Sequence, residues 1–475
     1  MKRLIASVLS IIFFLLCVSC AAPEEIVPEY DDSAMESSVD LAGQTLIMGI
    51  VQDYFFEGAD STLSYTNNTE FGDLARQRLN DVQSKYNCKI KFDYVNRSGE
   101  LAYNSAVAGV YLFDFITEES FFLVNYVRAN AFVNLVTLDS LDVFDESKWG
   151  NRYMLVSTMF NGGIYGVLPA AHPMRLSNSI DCVLVVNEDG ISSIQATDPR
   201  DLFENSEWNW SSFDNCIKTY AHTNQVTNEP VYSLASGFGG FSRELAMSNG
   251  VDVFTFNDNG TFTLGYFSQP AVEAYNQAYE WFYGDTVSNV LSNGSGDEFL
   301  RMVADGETVM SLLSSWQIYS TTDSLAYRMD NFAVLPLPVG PNAKGQDDYK
   351  TSYSSADFSM CIPLTAKDPE ISGFVLDKIY EPFAGYETED DIIDYMYKNY
   401  FSDIRDAKFF VEMTKNNHVY YHDHMHSFST MFDQFPGNGI ARGLQTYETA
   451  QYENAEKYVL PAYQTLYEYD EMFHD

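Results

Sequence analysis

Apolar positions along this chain switch repeatedly between strand-like and helix-like spacing, and the order of the switches carries most of the information. Thr45–Val51 is a short apolar run that predicts a strand. Phe71, Leu74, Ala75, Leu79, Val82 and Tyr86 then fall on one helical face, and Asn67 with Glu70 three residues later predicts a capping box at its start. Ile90, Phe92 and Tyr94 alternate with polar neighbours across Lys89–Val95, which reads as a second strand. A shorter helix near Leu101–Ala108 and a strand over Val110–Ile116 complete a strand–helix–strand–helix–strand series. That series implies a parallel sheet with right-handed crossovers. Ligands of such sheets lie beyond the carboxyl ends of the strands. The loops expected there, Gln52–Phe56 and Thr117–Ser120, bring forward Asp53, Tyr54, Asp114 and Glu118 as candidates. Helix caps or solvated loop acids are the competing reading for each.

The middle of the chain repeats the theme. Cys182–Asn187 is a strand, and Asp198-Pro199 opens a helix. A further helix starts after Trp208-Asn209-Trp210, with Ser211 and Asp214 spaced as a capping box, and both tryptophans are read as packing. The glycine-rich Ser233–Ser242 lacks the third glycine of a dinucleotide fingerprint, and no P-loop lysine follows. It is either a plain turn or a loop that carries Phe238 or Phe241 to a cleft. Val253–Leu264 is a hairpin around Asn257-Asp258-Asn259-Gly260. A calcium loop with Gly260 at its sixth position would place Tyr266 where the twelfth-position Glu is required, so that reading fails. Pro270–Tyr283 and Gly296–Asp305 are amphipathic helices. Phe332–Leu335 is a strand stopped by Pro336-Leu337-Pro338, because proline cannot donate to a ladder. Gly340–Lys350 is a loop, and Thr351–Ile362 sets small and polar residues, Asp357 among them, beside Tyr353 and Phe358. Asp368-Pro369-Glu370 then supplies a cap, a first-turn proline and an acid against the dipole of a helix. Ile392–Tyr400 and Ile440–Phe473 are helical, the latter kinked at Pro461.

Composition narrows the function. With 475 residues the chain is long enough for two or three domains, and 46% hydrophobic content supports sizeable cores. Lys+Arg 27 against Asp+Glu 67 gives a formal charge of −40, which argues against nucleic acid and against an anionic membrane patch. Many of the 33 Tyr and 34 Phe must be core, yet Tyr and Trp pair an apolar face with a polar edge, and such a surface suits a sugar, whose faces are C–H rich and whose rim is hydroxyl. Cys88, Cys182, Cys216 and Cys361 are far apart, with no C-x-x-C, and read as buried thiols; no cofactor motif is present. His418, His422, His424 and His426 crowd together without the H-E-x-x-H pattern, so no metal is expected there.

The N-terminus reads as an address. Lys2 and Arg3 precede the uncharged, predominantly apolar run Leu4–Val18, too short for a comfortable membrane span. It ends Leu16-Cys17-Val18-Ser19-Cys20, which resembles a lipoprotein signal, 1–19, with Cys20 as the lipidated residue; an ordinary secretory signal is the alternative. Residues 20–43 are acidic and unsuited to packing, a flexible tether reaching roughly 25–30 Å.

Several stretches together resemble the sugar-type extracellular solute-binding proteins of bacterial ABC transporters, the family 1 group. The strand ending Leu335-Pro336-Leu337-Pro338-Val339-Gly340-Pro341, followed by Ile362-Pro363, Ala366 and Pro369-Glu370, is similar to that family's second interlobe crossing. Phe160–Pro169, with Asn161-Gly162-Gly163, resembles its first crossing; Asn187-Glu188-Asp189, Trp208–Asp214 and Gly306-Glu307-Thr308-Val309-Met310 with Trp316 resemble further family segments. The resemblance implies an α/β, periplasmic-binding-protein-like type II fold of two discontinuous lobes joined by a hinge, 44–165 with 357–415 and 166–356 with 416–475. It implies a monomeric, lipid-anchored receptor on the extracytoplasmic face of the cell membrane that captures a sugar or oligosaccharide and delivers it to ABC permease transmembrane subunits. Trp316 at a strand end, Tyr353 and Asp357 at the second crossing, and Phe238 become candidate ligand contacts. No catalytic motif of the GxSxG, Walker A or zincin type is visible. The rival readings are a surface glycan-processing enzyme, which needs two carboxylates about 5 to 9.5 Å apart, and a ligand-sensing lipoprotein without its own permease.

Overall fold

The structure is a computed structural model, and it describes residues 39–51, 61–160, 162–173, 180–252, 254–256, 262–319, 323–353, 358–418, 428–460 and 464. Two separate sheets organise it. The first has the order Phe358–Cys361, Phe115–Glu119, Gln44–Val51, Cys88–Val95. Gln44–Val51 runs parallel to both of its neighbours, in register from Gln44 opposite Cys88 to Val51 opposite Val95. Phe358–Cys361, the strand that returns from far along the chain, is antiparallel at the edge. Leu46, Met48 and Ile50 share one core with Phe71, Ala75, Leu79 and Val82 of the helix Glu70–Lys85. Ile47 and Ile116 face the opposite side, with Ala102, Leu123 and Val127. The period of two that marks each strand in the sequence is thus the reason both faces are covered.

Two expected details of this sheet are corrected. The helix cap is Thr69, whose hydroxyl accepts from the Gly72 N–H at 3.2 Å, whereas Asn67 accepts the Thr62 hydroxyl at 2.7 Å. The third strand is Phe115–Glu119, not Val110–Ile116. Asp114 closes a backbone pair with Ile47 and so sets the start of the strand, leaving Val110 and Leu112 exposed.

The second sheet has the order Val290–Leu291, Pro230–Ala235, Thr308–Leu313, Val183–Asn187, Phe332–Leu335. Val183–Asn187 is antiparallel to both neighbours. Leu184 and Val186 face a core with Phe241, Leu245 and Trp281 of the helices Phe238–Met247 and Gln269–Tyr283. Val183 and Val185 face Ala407, Phe410 and Met413 of the helix Ile404–Lys415. That helix packs on the second sheet. Arg200 and Asp406 meet at 2.7 Å, and the Val334 N–H donates to Asp406 at 2.9 Å, which pins the helix there. Glu389–Asn399 straddles the boundary, with Tyr395 against Phe71 and with Ile393 and Met396 in the second core. The helix Phe428–Asn438 packs Phe432 and Phe435 on Tyr275 of the second sheet's helix layer.

Several other local expectations hold and one capping box does not. Asp368 caps Pro369–Ile379, accepting from the Ile371 N–H at 3.2 Å. The Trp208 ring is buried, its N–H donating to the Pro336 carbonyl at 3.0 Å. The cap beside it is Asn209 with Ser212, not Ser211 with Asp214. Phe254–Phe256 pairs antiparallel with Phe262–Leu264 as the expected hairpin, and all four described cysteines are free thiols. Pro461 and Cys20 lie outside the described residues. Among the described residues no helix is long and apolar enough to cross a membrane.

Candidate functional site at the junction of the two sheets

The segment Ile180–Cys182, which leads into the second sheet, is the meeting point. Ile180 forms an antiparallel bridge with Tyr353, and the Asp181 N–H donates to the Ser352 carbonyl at 2.8 Å. From the other side, the Ser315 N–H donates to the Ile180 carbonyl at 2.9 Å and the Ser314 hydroxyl to the Asp181 carbonyl at 2.8 Å. The chain entering the second sheet and the chain leaving it toward the first are therefore hydrogen-bonded to each other.

Ser352 continues this connection. It pairs with His418 through the two-residue parallel strands Thr351–Ser352 and Asn417–His418, and its hydroxyl donates to Glu244. Arg243 lies against Asp181 at 2.5 Å, Glu244 at 3.4 Å and the Cys182 sulfur at 3.8 Å. Burial pushes the Glu244 carboxyl up to about 7, while Arg243 and the Ser352 hydroxyl pull it back. Burial likewise pushes the Cys182 thiol well above its ordinary range. Asp181, Cys182 and Glu244 hold their ligand-type atoms within 4.8 Å of one another. Arg243 stands among those atoms and supplies the positive charge, so the group reads as an ion-paired structural cluster.

Tyr353 links this cluster to the first sheet. Its hydroxyl lies 3.2 Å from that of Ser120, and Ser120 lies 2.6 Å from Ser359. Ser359 is paired in register with Glu118. Glu118 accepts from the Gly99 N–H at the start of the helix Ser98–Ala108, an approach possible because residue 99 has no side chain: a Cβ there would lie 2.2 Å from the carboxylate. Burial pushes Glu118 up to about 7 against the lowering pull of that N–H.

Ser120 and Ser359 thus connect Tyr353 to the strand pair that holds Glu118, and Trp316 follows Ser315, which is bonded to Ile180. Trp316 opens the short helix Ser315–Tyr319 just beyond the strand Thr308–Leu313 and is 36% exposed. Two other candidates lie elsewhere. Asp114 is spent inside the first sheet, accepting from the Ile47 N–H at 2.7 Å and the Tyr111 hydroxyl at 2.6 Å. Phe238 opens a helix rather than a cleft loop, and its ring is buried on Phe282 at 5.5 Å and Tyr279 at 6.2 Å. Asp53, Tyr54, Asp357, His422, His424 and His426 lie outside the described residues. His418 stacks on Tyr153 at 4.5 Å, and burial, then the Lys350 charge, push its imidazole down to about 4. Asp181, Arg243 and Glu244 were not singled out from the sequence. The available signal was an Arg-Glu pair inside the otherwise apolar helix Phe238–Met247, in a chain with only 27 basic residues.

No protein-family model matches the sequence, and no curated protein matches it. Solved structures do. The GacH receptor of Streptomyces glaucescens, solved unliganded and with acarbose, aligns over 91% of this chain and 99% of its own, with 12% identity and a TM-score of 0.51. A cyclo/maltodextrin-binding protein complexed with maltotetraose aligns over 87% of this chain and 98% of its own, with 14% identity and a TM-score of 0.53. An ABC substrate-binding protein of Listeria monocytogenes in complex with cycloalternan gives 87%, 98%, 12% and 0.51 on the same measures. The chain has the α/β fold of the maltose-binding-protein-like periplasmic binding proteins.

Proposed function

We propose that the protein is a lipid-anchored extracytoplasmic receptor that captures a sugar or oligosaccharide between two lobes and hands it to an ABC permease. The observation that carries this is the fold match over nearly the whole length of three proteins solved in complex with acarbose, maltotetraose and cycloalternan. The exposed ring of Trp316 at the junction supports it, since an aromatic face suits the C–H face of a pyranose. In this reading the first lobe carries the first sheet and the second lobe carries the second sheet together with Ile404–Lys415. Closure is hinge bending, and ligand shifts an open–closed equilibrium. Trp316 contacts ligand from the second lobe, Tyr353 and Asp357 from the second crossing, and Asp53, Tyr54 and Glu118 from the first lobe. The protein acts as a monomer tethered through Cys20 and catalyses nothing.

The test is a thermal-shift screen of the purified protein over sugars and peptides, followed by incubation of the best binder with the protein. Stabilisation by an oligosaccharide that is recovered intact supports a receptor. Stabilisation by peptides alone removes the carbohydrate assignment, and cleavage of the sugar removes the non-enzymatic one.

A further inference from the structure

The loop Val107–Leu112 reads Val-Ala-Gly-Val-Tyr-Leu, and no charged residue occurs anywhere from Leu101 to Phe113. It is open all the same. Val107 is 71% exposed, Val110 52% and Leu112 38%, and Ala108 and Gly109 are exposed between them. A run of exposed apolar residues is an aggregation liability unless something covers it in use. Backbone geometry fixes the loop: Gly109 closes the helix Ser98–Ala108 at φ +62°, and the Val110 N–H donates to the Ser105 carbonyl at 3.0 Å. A second segment lies against it, with the Thr365 hydroxyl 2.5 Å from that of Ser105 and the exposed Lys367 placing its Nζ 4.1 Å from the centre of the Tyr111 ring.

The place of the loop in the fold points to what covers it. The loop leads into Phe115–Glu119, which runs parallel to Gln44–Val51 with Phe115 opposite Met48, so it lies at the amino end of the first sheet. Residues 39–43 lie at that same end. The Leu41 N–H donates to the Tyr86 carbonyl at 2.9 Å and the Gly43 N–H to the Asn87 carbonyl at 2.7 Å, just before the strands Gln44–Val51 and Cys88–Val95 begin. With a lipid on Cys20, residues 20–38 separate the bilayer from this end, a reach of roughly 25 Å by random-coil scaling. A tether of that length makes even a weak apolar contact intramolecular, at high effective concentration. Ligands of such sheets lie beyond the carboxyl ends of the strands, so contact at the amino end leaves them clear.

Charge narrows the surface. A chain of −40 is repelled by anionic lipid, but this loop carries no acid of its own to hold it off a neutral headgroup layer. Lys367 sets an ammonium on an apolar stem beside it, an arrangement that suits a membrane interface. A protein partner is met chiefly through aromatic and arginine anchors. The aromatic ring here, Tyr111, is already engaged, its hydroxyl donating to Asp114 at 2.6 Å and its face taken by Lys367.

We propose that the loop Val107–Leu112, with Lys367 beside Tyr111, seats the first lobe on the surface of a neutral phospholipid bilayer. This rests on the lipid-anchored reading above.

The experiment is hydrogen–deuterium exchange of the full lipidated chain on phosphatidylcholine vesicles, beside the Cys20→Ser chain in solution. Flotation with the vesicles and the mass of the acyl group establish the anchor first. Amides of residues 108–112 should exchange about tenfold more slowly on vesicles, while the exposed turn at residues 224–228 is unchanged. Val107→Glu combined with Val110→Glu should float as wild type does and lose the slowing. Val110→Ser, a milder change should the double variant fold poorly, should lose part of it. Equal exchange on vesicles and in solution, or slowing that survives in the folded double variant, overturns the proposal and leaves the anchor standing. Slowing on native membranes but not on protein-free vesicles assigns the loop to a membrane protein and overturns it as well. A chain that carries no lipid and does not float overturns both.

Discussion

The hydroxyl of Tyr353 lies 3.2 Å from that of Ser120, while its backbone bridges Ile180 and accepts no place in the first sheet's ladder. One residue thus joins the segment entering the second sheet to the helix Ser120–Val127 beneath the first. Its ring is buried, so Tyr353→Phe should keep the packing and lose only the hydroxyl contact. Urea unfolding should show a loss of about 1 kcal/mol. An unchanged midpoint would mean that this hydroxyl contributes nothing to holding the junction.

Trp316→Ala should behave differently, because its side chain is partly open. A stacked aromatic at a ligand contact carries about 2 kcal/mol or more on truncation, so affinity for the bound sugar should fall roughly thirtyfold. The unliganded Tm should stay near wild type. A fully buried Trp truncated to Ala would instead cost about 3–5 kcal/mol of stability. A protein that melts far lower yet binds sugar normally would remove Trp316 from the site.

Arg200 is 5% exposed and Asp406 0%, and the pair anchors Ile404–Lys415 to the second sheet. Arg200→Met leaves a buried carboxylate without its partner and should cost about 3–5 kcal/mol in chemical denaturation. Converting Asp406→Leu in the same chain should recover a large part of that loss. Single and double variants of equal stability would show that the pair is not what holds the helix.

Glu118 gives a pH signature. Its folded value is about 7 against an ordinary 4.5, so between those values the folded chain keeps a proton that the unfolded chain has released. The stability carried by this proton is complete below pH of about 4.5 and is lost as the pH rises through about 7. Glu118→Gln should therefore flatten the stability profile across that window. Parallel wild-type and variant profiles would contradict the assignment.

The anchor is tested by Cys20→Ser. Losing the lipid-bearing residue should move the protein from membranes into the soluble fraction. Continued membrane retention after carbonate washing would remove the lipoprotein reading.

What was legible in the sequence was local. Strand alternation at Lys89–Val95, the apolar helix face from Phe71 to Val82, the Asp368-Pro369 helix start and the pairing of Phe254–Phe256 with Phe262–Leu264 each follow from residues close to one another in the chain. Their order was enough to indicate a parallel sheet, and the proline-bounded crossing motifs were enough to indicate a fold that the whole-chain match bears out. Boundaries set by distant partners were not legible. Val110 and Leu112 are as apolar as strand residues, but the strand begins where Asp114 meets Ile47. The apolar face of Ile404–Lys415 announces that it is buried without saying against which sheet; a pair 206 residues apart, Arg200 with Asp406, decides it. Phe238 lies within the glycine-rich Ser233–Ser242, which reads as either a plain turn or a loop reaching a cleft, yet the helix it opens turns the ring onto Phe282 and Tyr279. Ser314 and Ser315 meet the segment Ile180–Asp181, more than 130 positions earlier in the chain, only through hydrogen bonds that the folded chain makes. Periodicity states which side of an element is apolar; only the folded chain, by satisfying each buried polar group with a particular distant partner, decides what that side meets.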